Sequence, residues 1–401
     1  PQLTPAELLS YVPDAASFCS IDTVQPINLD STNIRPEHWL LLANLIEEHY
    51  SRYDGFVICH GTDTLAYTAS ALSYLIQRTA KPIVLTGAQR SIDEDTTDAK
   101  VNLLDALRFA CSGESGVCIV FGSHVIAGTR ARKSRTKSYN AFTSLNFPDL
   151  ASVHESRVVR YIPYEPQGEP VFYHKLNTRV FLLKLTPGMD PAAFPAAGQL
   201  CDGLIIESYG MGGIPDVYLE ELDKLIRQGK TVIMATQVPQ EGSDLSVYQV
   251  GKHVKDRYHL LETYDMTLES TVTKLMWAMG QSDDPESIRK LGQYAKTRYY
   301  GRENYFLATN SIYLEIMPSG VSKASGLHDL CALMSKSMKN TVVIGDYYND
   351  LEIMREAGYA VAVANAPAEV KAAADHVTTC TCAEGAVGEY LYALIDRATK
   401  S

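Results

Sequence analysis

At 401 residues the chain is long enough for two or three domains, each with a sizeable core. Its 46% hydrophobic and 21% charged residues describe an ordinary globular protein, and no apolar run approaches the ~18 residues of a membrane span. A formal charge of −11 argues against nucleic acid or an anionic membrane as the main partner. The eight cysteines are scattered, several inside apolar runs such as Val117-Cys-Ile-Val, which suits a reducing compartment better than a disulfide framework. Cys380-Thr-Cys382 has no histidine partners nearby, so a zinc site is not expected there. The chain starts at Pro1 without a Met, so the cytoplasm is expected from cysteine usage and not from the absence of a leader.

Thr4-Pro-Ala-Glu-Leu-Leu reads as a short capped helix. A second helix is predicted near Pro36–Tyr50, with Trp39, Leu40, Leu42, Ala43 and Ile46 facing inward, and Asp30-Ser31 lies in the loop before it. Phe56-Val-Ile-Cys59 reads as a buried strand of a parallel sheet, and Leu65, Ala69, Leu72, Leu75 and Ile76 have helical spacing. Between them sits His60-Gly-Thr-Asp-Thr64, at the carboxyl end of a strand, where open α/β sheets bind ligands. Thr62 offers a hydroxyl and Asp63 a carboxylate, a pair suited to activating a nucleophile and holding an amino group. The residues alone leave a second reading open, in which the threonines cap the helix and Asp63 favours its positive end.

The longer wording, Tyr53-Asp-Gly-Phe-Val-Ile-x-His-Gly-Thr-Asp-Thr-Leu-Ala-Tyr-Thr-Ala-Ser-Ala-Leu-Ser, resembles the second signature of the bacterial L-asparaginases of cytoplasmic type. The resemblance implies that Thr62 and Asp63 are catalytic, with Asp63 also holding the substrate's α-ammonium. It gives Ser31 the substrate's α-carboxylate and Ala88 a backbone carbonyl contact to the amide. Arg130 to Lys137 carries five positive charges in eight residues, ordinarily a solvated face. Followed by Tyr139-Asn-Ala-Phe142, it resembles the family's Gly-x-Arg-x-x-Lys segment, which implies that Lys133 is the catalytic lysine. An ammonium beside Thr62 and Asp63 would favour the ionised form of each. Ser208-Tyr-Gly-Met-Gly-Gly-Ile-Pro resembles a family loop near the neighbouring subunit's site, so a homodimer or homotetramer is expected. Asp265-Met-Thr-Leu-Glu-Ser-Thr-Val-Thr-Lys-Leu resembles the family's Asp-Met-Thr-x-Glu-Ala-x-x-Thr-Lys-Leu helix. Val238 follows Thr236-Gln237 where cytoplasmic relatives often carry a cysteine linked to allosteric binding, which puts effector regulation in doubt.

Strand and helix alternate through residues 81–122 and again through 179–236, which predicts doubly wound parallel sheets. The expected organisation is an N-terminal asparaginase domain at 1–155, a linker at 156–177 in a stretch (151–177, with Pro163 and Pro166) that reads as a linker or an extended hairpin, and a second asparaginase domain at 178–291. Residues 292–401 change character. Thr341-Val-Val-Ile-Gly-Asp-Tyr-Tyr-Asn-Asp and Ser311-Ile-Tyr-Leu-Glu-Ile resemble the haloacid-dehalogenase-like phosphatases of the Cof type. That implies Asp346 and Asp350 as a magnesium-binding acidic pair, with Lys323 and Asn349 as phosphate contacts. Only the back half of that fold is matched, without its Asp-x-Asp nucleophile, so a vestigial segment is expected.

The asparaginase resemblance also lacks the family's opening strand with its Gly-Gly-Thr nucleophile. The expected inherited function is therefore hydrolysis of asparagine to aspartate and ammonia, without a cofactor, by a chain whose activity that gap puts in question. The alternatives are a Mg-dependent sugar-phosphate phosphatase fragment and a catalytically dead amino-acid-binding or oligomerising protein.

Overall fold

In the computed structural model Thr4 caps α1 (Pro5–Ser10) through a reciprocal capping box with Glu7. Pro36 starts α2 (Pro36–His49), which buries Trp39, Leu42, Ala43 and Ile46, while Leu40 is only partly covered. The structure describes residues 3–162, 168–243, 245, 260–284, 286–288, 290, 305–308, 314–317 and 322–400. Pro163, Pro166, Ser311 and the expected junction near 291–300 lie outside them. Two compact units result, Pro1–Tyr299 and Tyr300–Ser401.

The first unit is built on a six-stranded sheet. It uses β1 (Phe56–Cys59), β3 (Pro82–Thr86), β4 (Gly116–Phe121), β5 (His124–Ala127), β8 (Ala151–His154) and β9 (Arg157–Arg160), in that order. β1, β3 and β4 are parallel, joined by α3 (Leu65–Leu75) and α4 (Ala99–Ala110). From β4 onward the pairing turns antiparallel. The two hairpins have a local cause. Gly122 and Ser123 both take positive φ, as do Glu155 and Ser156, the backbone pattern of two-residue type I′ turns. The hairpin Ala151–Arg160 therefore extends the sheet beyond residue 155. β1 is also an edge strand, half-buried along most of its length and not the fully covered strand its apolar run predicts.

Ten of the eleven residues of α3 are buried, so it is enclosed on all sides and not amphipathic. Its outer face is covered by α7 (Leu268–Gln281) of the second lobe. The hydroxyls this buries are paired, with Tyr74 Oη and Ser270 Oγ 2.6 Å apart and Thr273 Oγ1 donating to Ser70 Oγ at 2.9 Å. Ile76 leaves the helix for β2 (Ile76–Gln77), which pairs with β10 (Val171–Phe172). The short ribbon β6 (Ala131–Lys133) and β7 (Phe142–Ser144) carries the basic segment.

The second lobe is a parallel sheet of β11 (Val180–Lys184), β12 (Gly203–Ser208), β13 (Thr231–Thr236) and β14 (Leu261–Glu262). Its core packs Phe194 of α5 (Ala193–Leu200) and Leu222 and Leu225 of α6 (Leu219–Arg227) on one face. The other face meets the first lobe, since Ile205 and Ala235 share a cluster with Leu65, Leu72 and Trp277. Arg130 seals the same seam, bonding both the carboxylate and the carbonyl of Asp265 at 3.0 Å. In the C-terminal unit, strands Val342–Gly345, Tyr359–Ala362 and His376–Val377 form a small parallel sheet over Met354, Val370 and Ala386. The expected α/β class with parallel sheets holds, and the antiparallel half of the first sheet is the addition.

Gly128 follows β5 where the ribbon crosses α3. A Cβ there would lie 2.6 Å from Ser73 Oγ and 2.9 Å from the Ala69 carbonyl. Gly128→Ala is expected to destabilise the first unit by about 1–3 kcal/mol, the usual cost of overpacking. Denaturant unfolding of the variant checks this, and an unchanged midpoint would overturn it.

Candidate active site

The loop after β1 is held from three directions. His60 N donates to Thr86 O at 2.8 Å, tying it to the end of β3. Ser31, buried in a 3-10 turn at Ser31–Asn33, accepts from Asp63 N through Oγ at 3.3 Å and from Thr64 Oγ1 through its carbonyl at 2.7 Å. Gly61 is required because a Cβ there would meet Ser31 Oγ at 2.7 Å and Ser31 Cβ at 2.8 Å. Thr62 is thereby buried while Asp63 stays open to solvent.

Lys133, at the end of β6, reaches this loop across 70 residues of sequence. Its Nζ donates to Thr62 Oγ1 at 2.8 Å and to Asp63 Oδ1 at 2.6 Å, and its side chain is only 18% exposed. The structure thus gathers Ser31, Thr62, Asp63 and Lys133 at the carboxyl end of the parallel strands. Ala88 stands half-buried in the neighbouring turn after β3. Asp63 presents its carboxylate to solvent beside the ammonium.

Gln89 is a contact that sequence reasoning missed. Lys133 can only donate, so the Thr62 hydroxyl hydrogen goes to Gln89 Oε1, 3.2 Å away. The amide cannot flip, because Gln89 Nε2 donates to the Ser138 carbonyl at 3.2 Å. Asp98, buried at the start of α4, accepts from Gln89 N at 3.0 Å and Arg90 N at 3.1 Å and so fixes this turn. Asn102 closes the back by donating to Gly87 O at 2.9 Å. The signal available in the sequence was Gln89 directly after the glycine turn.

A second chain of bonds lies behind the loop. Trp39 Nε1 donates to Thr68 Oγ1 at 3.0 Å, and Thr68 Oγ1 lies 2.9 Å from His60 Nε2. His60 Nδ1 faces the Gly61 carbonyl at 2.7 Å, which only accepts, so Nδ1 carries the hydrogen and Nε2 takes that of Thr68. Burial pulls the His60 pKa down from 6.5, against the raising effect of the Gly61 carbonyl.

In the C-terminal unit Lys323 Nζ donates to Asp350 Oδ1 at 2.6 Å. Asp350 Oδ2 accepts from Asp346 N at 2.9 Å and Tyr347 N at 3.4 Å. Asn349 lies in the same turn, and Asp346 is exposed beside it. Magnesium takes an octahedral oxygen shell of carboxylates, waters and phosphate. With Asp350 committed to Lys323, Asp346 alone offers a disengaged carboxylate, and no group of three or more His, Cys, Asp or Glu side chains that could hold a metal occurs among the described residues. The exposed carboxylate of Asp346 would be the one to hold such an ion, beside water and phosphate oxygens.

An asparaginase N-terminal model matches residues 1–164, and a glutaminase/asparaginase C-terminal domain model matches residues 179–291. The L-asparaginase of Thermococcus kodakarensis is 43% identical over 275 residues, 68% of this chain and 83% of that protein. The chain belongs to the asparaginase family. The thermostable L-asparaginase from Thermococcus kodakarensis has a solved structure that superposes with a TM-score of 0.65 at 41% identity, covering 70% of this chain and 87% of that one. L-asparaginase 1 of Escherichia coli K12 is 34% identical over 270 residues, 65% of this chain and 79% of that protein. A sucrose-6F-phosphate phosphohydrolase model matches residues 252–389, joining a phosphatase-like segment to the asparaginase domains.

His60 supplies a pH test of the asparaginase loop. Its folded pKa lies below the unfolded value, so its stability contribution is complete above pH 6.5 and is lost as the pH falls below that value. Thermal midpoints should drop on acidification in the wild type and less steeply in His60→Gln. Parallel profiles would overturn this reading of His60.

Proposed function

We propose that the chain is an L-asparagine amidohydrolase, releasing aspartate and ammonia without a cofactor. The observation that carries the reading is the Lys133 ammonium bonded to both Thr62 and Asp63, in a family whose Thermococcus relative is an L-asparaginase. In this reading Asp63 holds the substrate's α-ammonium on its exposed carboxylate. Ser31, whose Oγ accepts from Asp63 N, turns its own hydrogen to the α-carboxylate. The Ala88 carbonyl receives the amide, and Thr62 with Lys133 activates the attacking oxygen, the ammonium offsetting the negative charge that develops there.

The phosphatase alternative finds less support. Its family match covers residues 252–389 only, and the Lys323 ammonium is partnered there by Asp350.

In the protein expressed from its full reading frame, Thr62→Ala and Lys133→Met should each lower ammonia release from asparagine by about 10²- to 10⁴-fold, the range for a positioned acid–base partner. Their unfolding midpoints should stay close to wild type. Near-normal turnover in either variant would remove that residue from the assignment.

The same reading carries a homodimer or homotetramer in the cytoplasm. Met211 and Val217, on and just after the loop that follows β12, are exposed apolar side chains suited to a subunit contact. Light scattering on protein purified from the soluble cell fraction should give two or four times the chain mass, and a monomer would exclude it.

A further inference from the structure

The Thr62 hydroxyl has a fixed inventory of one hydrogen and two lone pairs, and its hydrogen rotates to suit the surroundings. One lone pair takes the Lys133 ammonium at 2.8 Å, and the hydrogen goes to Gln89 Oε1 at 3.2 Å. Among the described residues no other group bonds Thr62 Oγ1, so one lone pair is left over. Three directions surround the oxygen, and two are taken. An incoming oxygen can reach Thr62 only along the third. Were the hydrogen to turn that way, Thr62 would donate to the newcomer instead of accepting from it.

Gln89 is held at both ends for this task. Its main-chain N donates to both carboxylate oxygens of Asp98 at 3.0 Å. Asp98 is itself buried and also takes Asn102 Nδ2 at 3.1 Å. At the other end Gln89 Nε2 donates to the Ser138 carbonyl at 3.2 Å, in the turn that joins β6 to β7. Tyr139 latches that turn down, its hydroxyl donating to the Thr96 carbonyl at 2.9 Å. Two separate segments therefore aim one amide oxygen at Thr62: the loop after β3 and the ribbon that carries Lys133. The bond of 3.2 Å is longer than the ~2.7–2.8 Å usual for a hydroxyl donor, so it directs the hydrogen without holding it hard.

We propose that Gln89 is a positioning residue for the amide hydrolysis. By taking the Thr62 hydrogen it turns the remaining lone pair of Oγ1 toward the O–H of the attacking group, which then donates to Thr62. The inference rests on the asparaginase reading of this site and names the group that orients its hydroxyl. Gln89 acts through Thr62 and not on the substrate. It therefore governs rate, while binding falls to Asp63 and Ser31.

The test uses the protein expressed from its full reading frame, with ammonia release followed over a range of asparagine concentrations. Methionine matches glutamine in length but offers no oxygen to Thr62. In Gln89→Met, kcat should fall about 3- to 10-fold, the range for losing one ordinary hydrogen bond, while KM stays within about twofold. Glutamate keeps an oxygen toward Thr62, so Gln89→Glu should hold its kcat above that of Gln89→Met. In a Thr62→Ala background Gln89→Met should cost nothing further, because the hydroxyl it directs is gone. A merely structural role would lower the rate in both backgrounds. The inference is overturned if Gln89→Met keeps the wild-type kcat, if its effect falls on KM alone, if Gln89→Glu is no better, or if the loss is as large without the Thr62 hydroxyl. The asparaginase reading survives each of those results. A wild type that releases no ammonia would overturn that reading, and this inference with it.

Discussion

The Lys133 ammonium is the constraint on which the first unit turns. It donates to Thr62 and Asp63 at once, and a side chain of that length can do so only if the ribbon β6–β7 lies directly over the loop that follows β1. The antiparallel turn from β4 into β5 sends the chain back across the sheet and delivers that ribbon. Gly128 lets it pass close to α3, and Arg130 pins its base to Asp265 of the second lobe. Three parts of the chain therefore converge on one amine.

The cost of assembling that site is met by polar groups satisfied out of sight of solvent. Asp98 holds the turn carrying Gln89, Asn102 spans Gly87 and Gly122, and Trp39, Thr68 and His60 form a bonded line behind Gly61. Each group is buried or half-buried, where an unpaired donor or acceptor costs about 1–3 kcal/mol. Networks of this sort restrict the loop to one arrangement. The C-terminal unit uses the same device, Lys323 against a buried Asp350.

Local patterns were legible in the sequence to the extent that their cause is local. The capped α1, the inward face of α2 and the strand–loop–helix at residues 56–75 follow from spacing and capping residues. The Gly122-Ser123 turn carried a weak signal, since glycine favours positive φ. Glu155-Ser156 carried none, because neither residue favours that conformation, and so residues 151–177 read as either a linker or an extended hairpin without the turn being placed. The edge position of β1 was also hidden, since an apolar run reads alike in the middle of a sheet and at its border. Resemblance named Ser31, Thr62, Asp63, Ala88 and Lys133. It did not name Gln89, whose role comes from the direction of a single hydroxyl hydrogen.

The sequence by itself determined the element types, the two lobes and the identity of the loop that opens at His60, because periodicity, capping and turn chemistry act between residues a few positions apart. The tertiary structure alone decided which distant groups meet: Lys133 with Thr62, Trp39 with Thr68, Arg130 with Asp265. Those contacts depend on how helices and sheet fill a shared core. Packing is a property of the whole chain, and no window of sequence contains it.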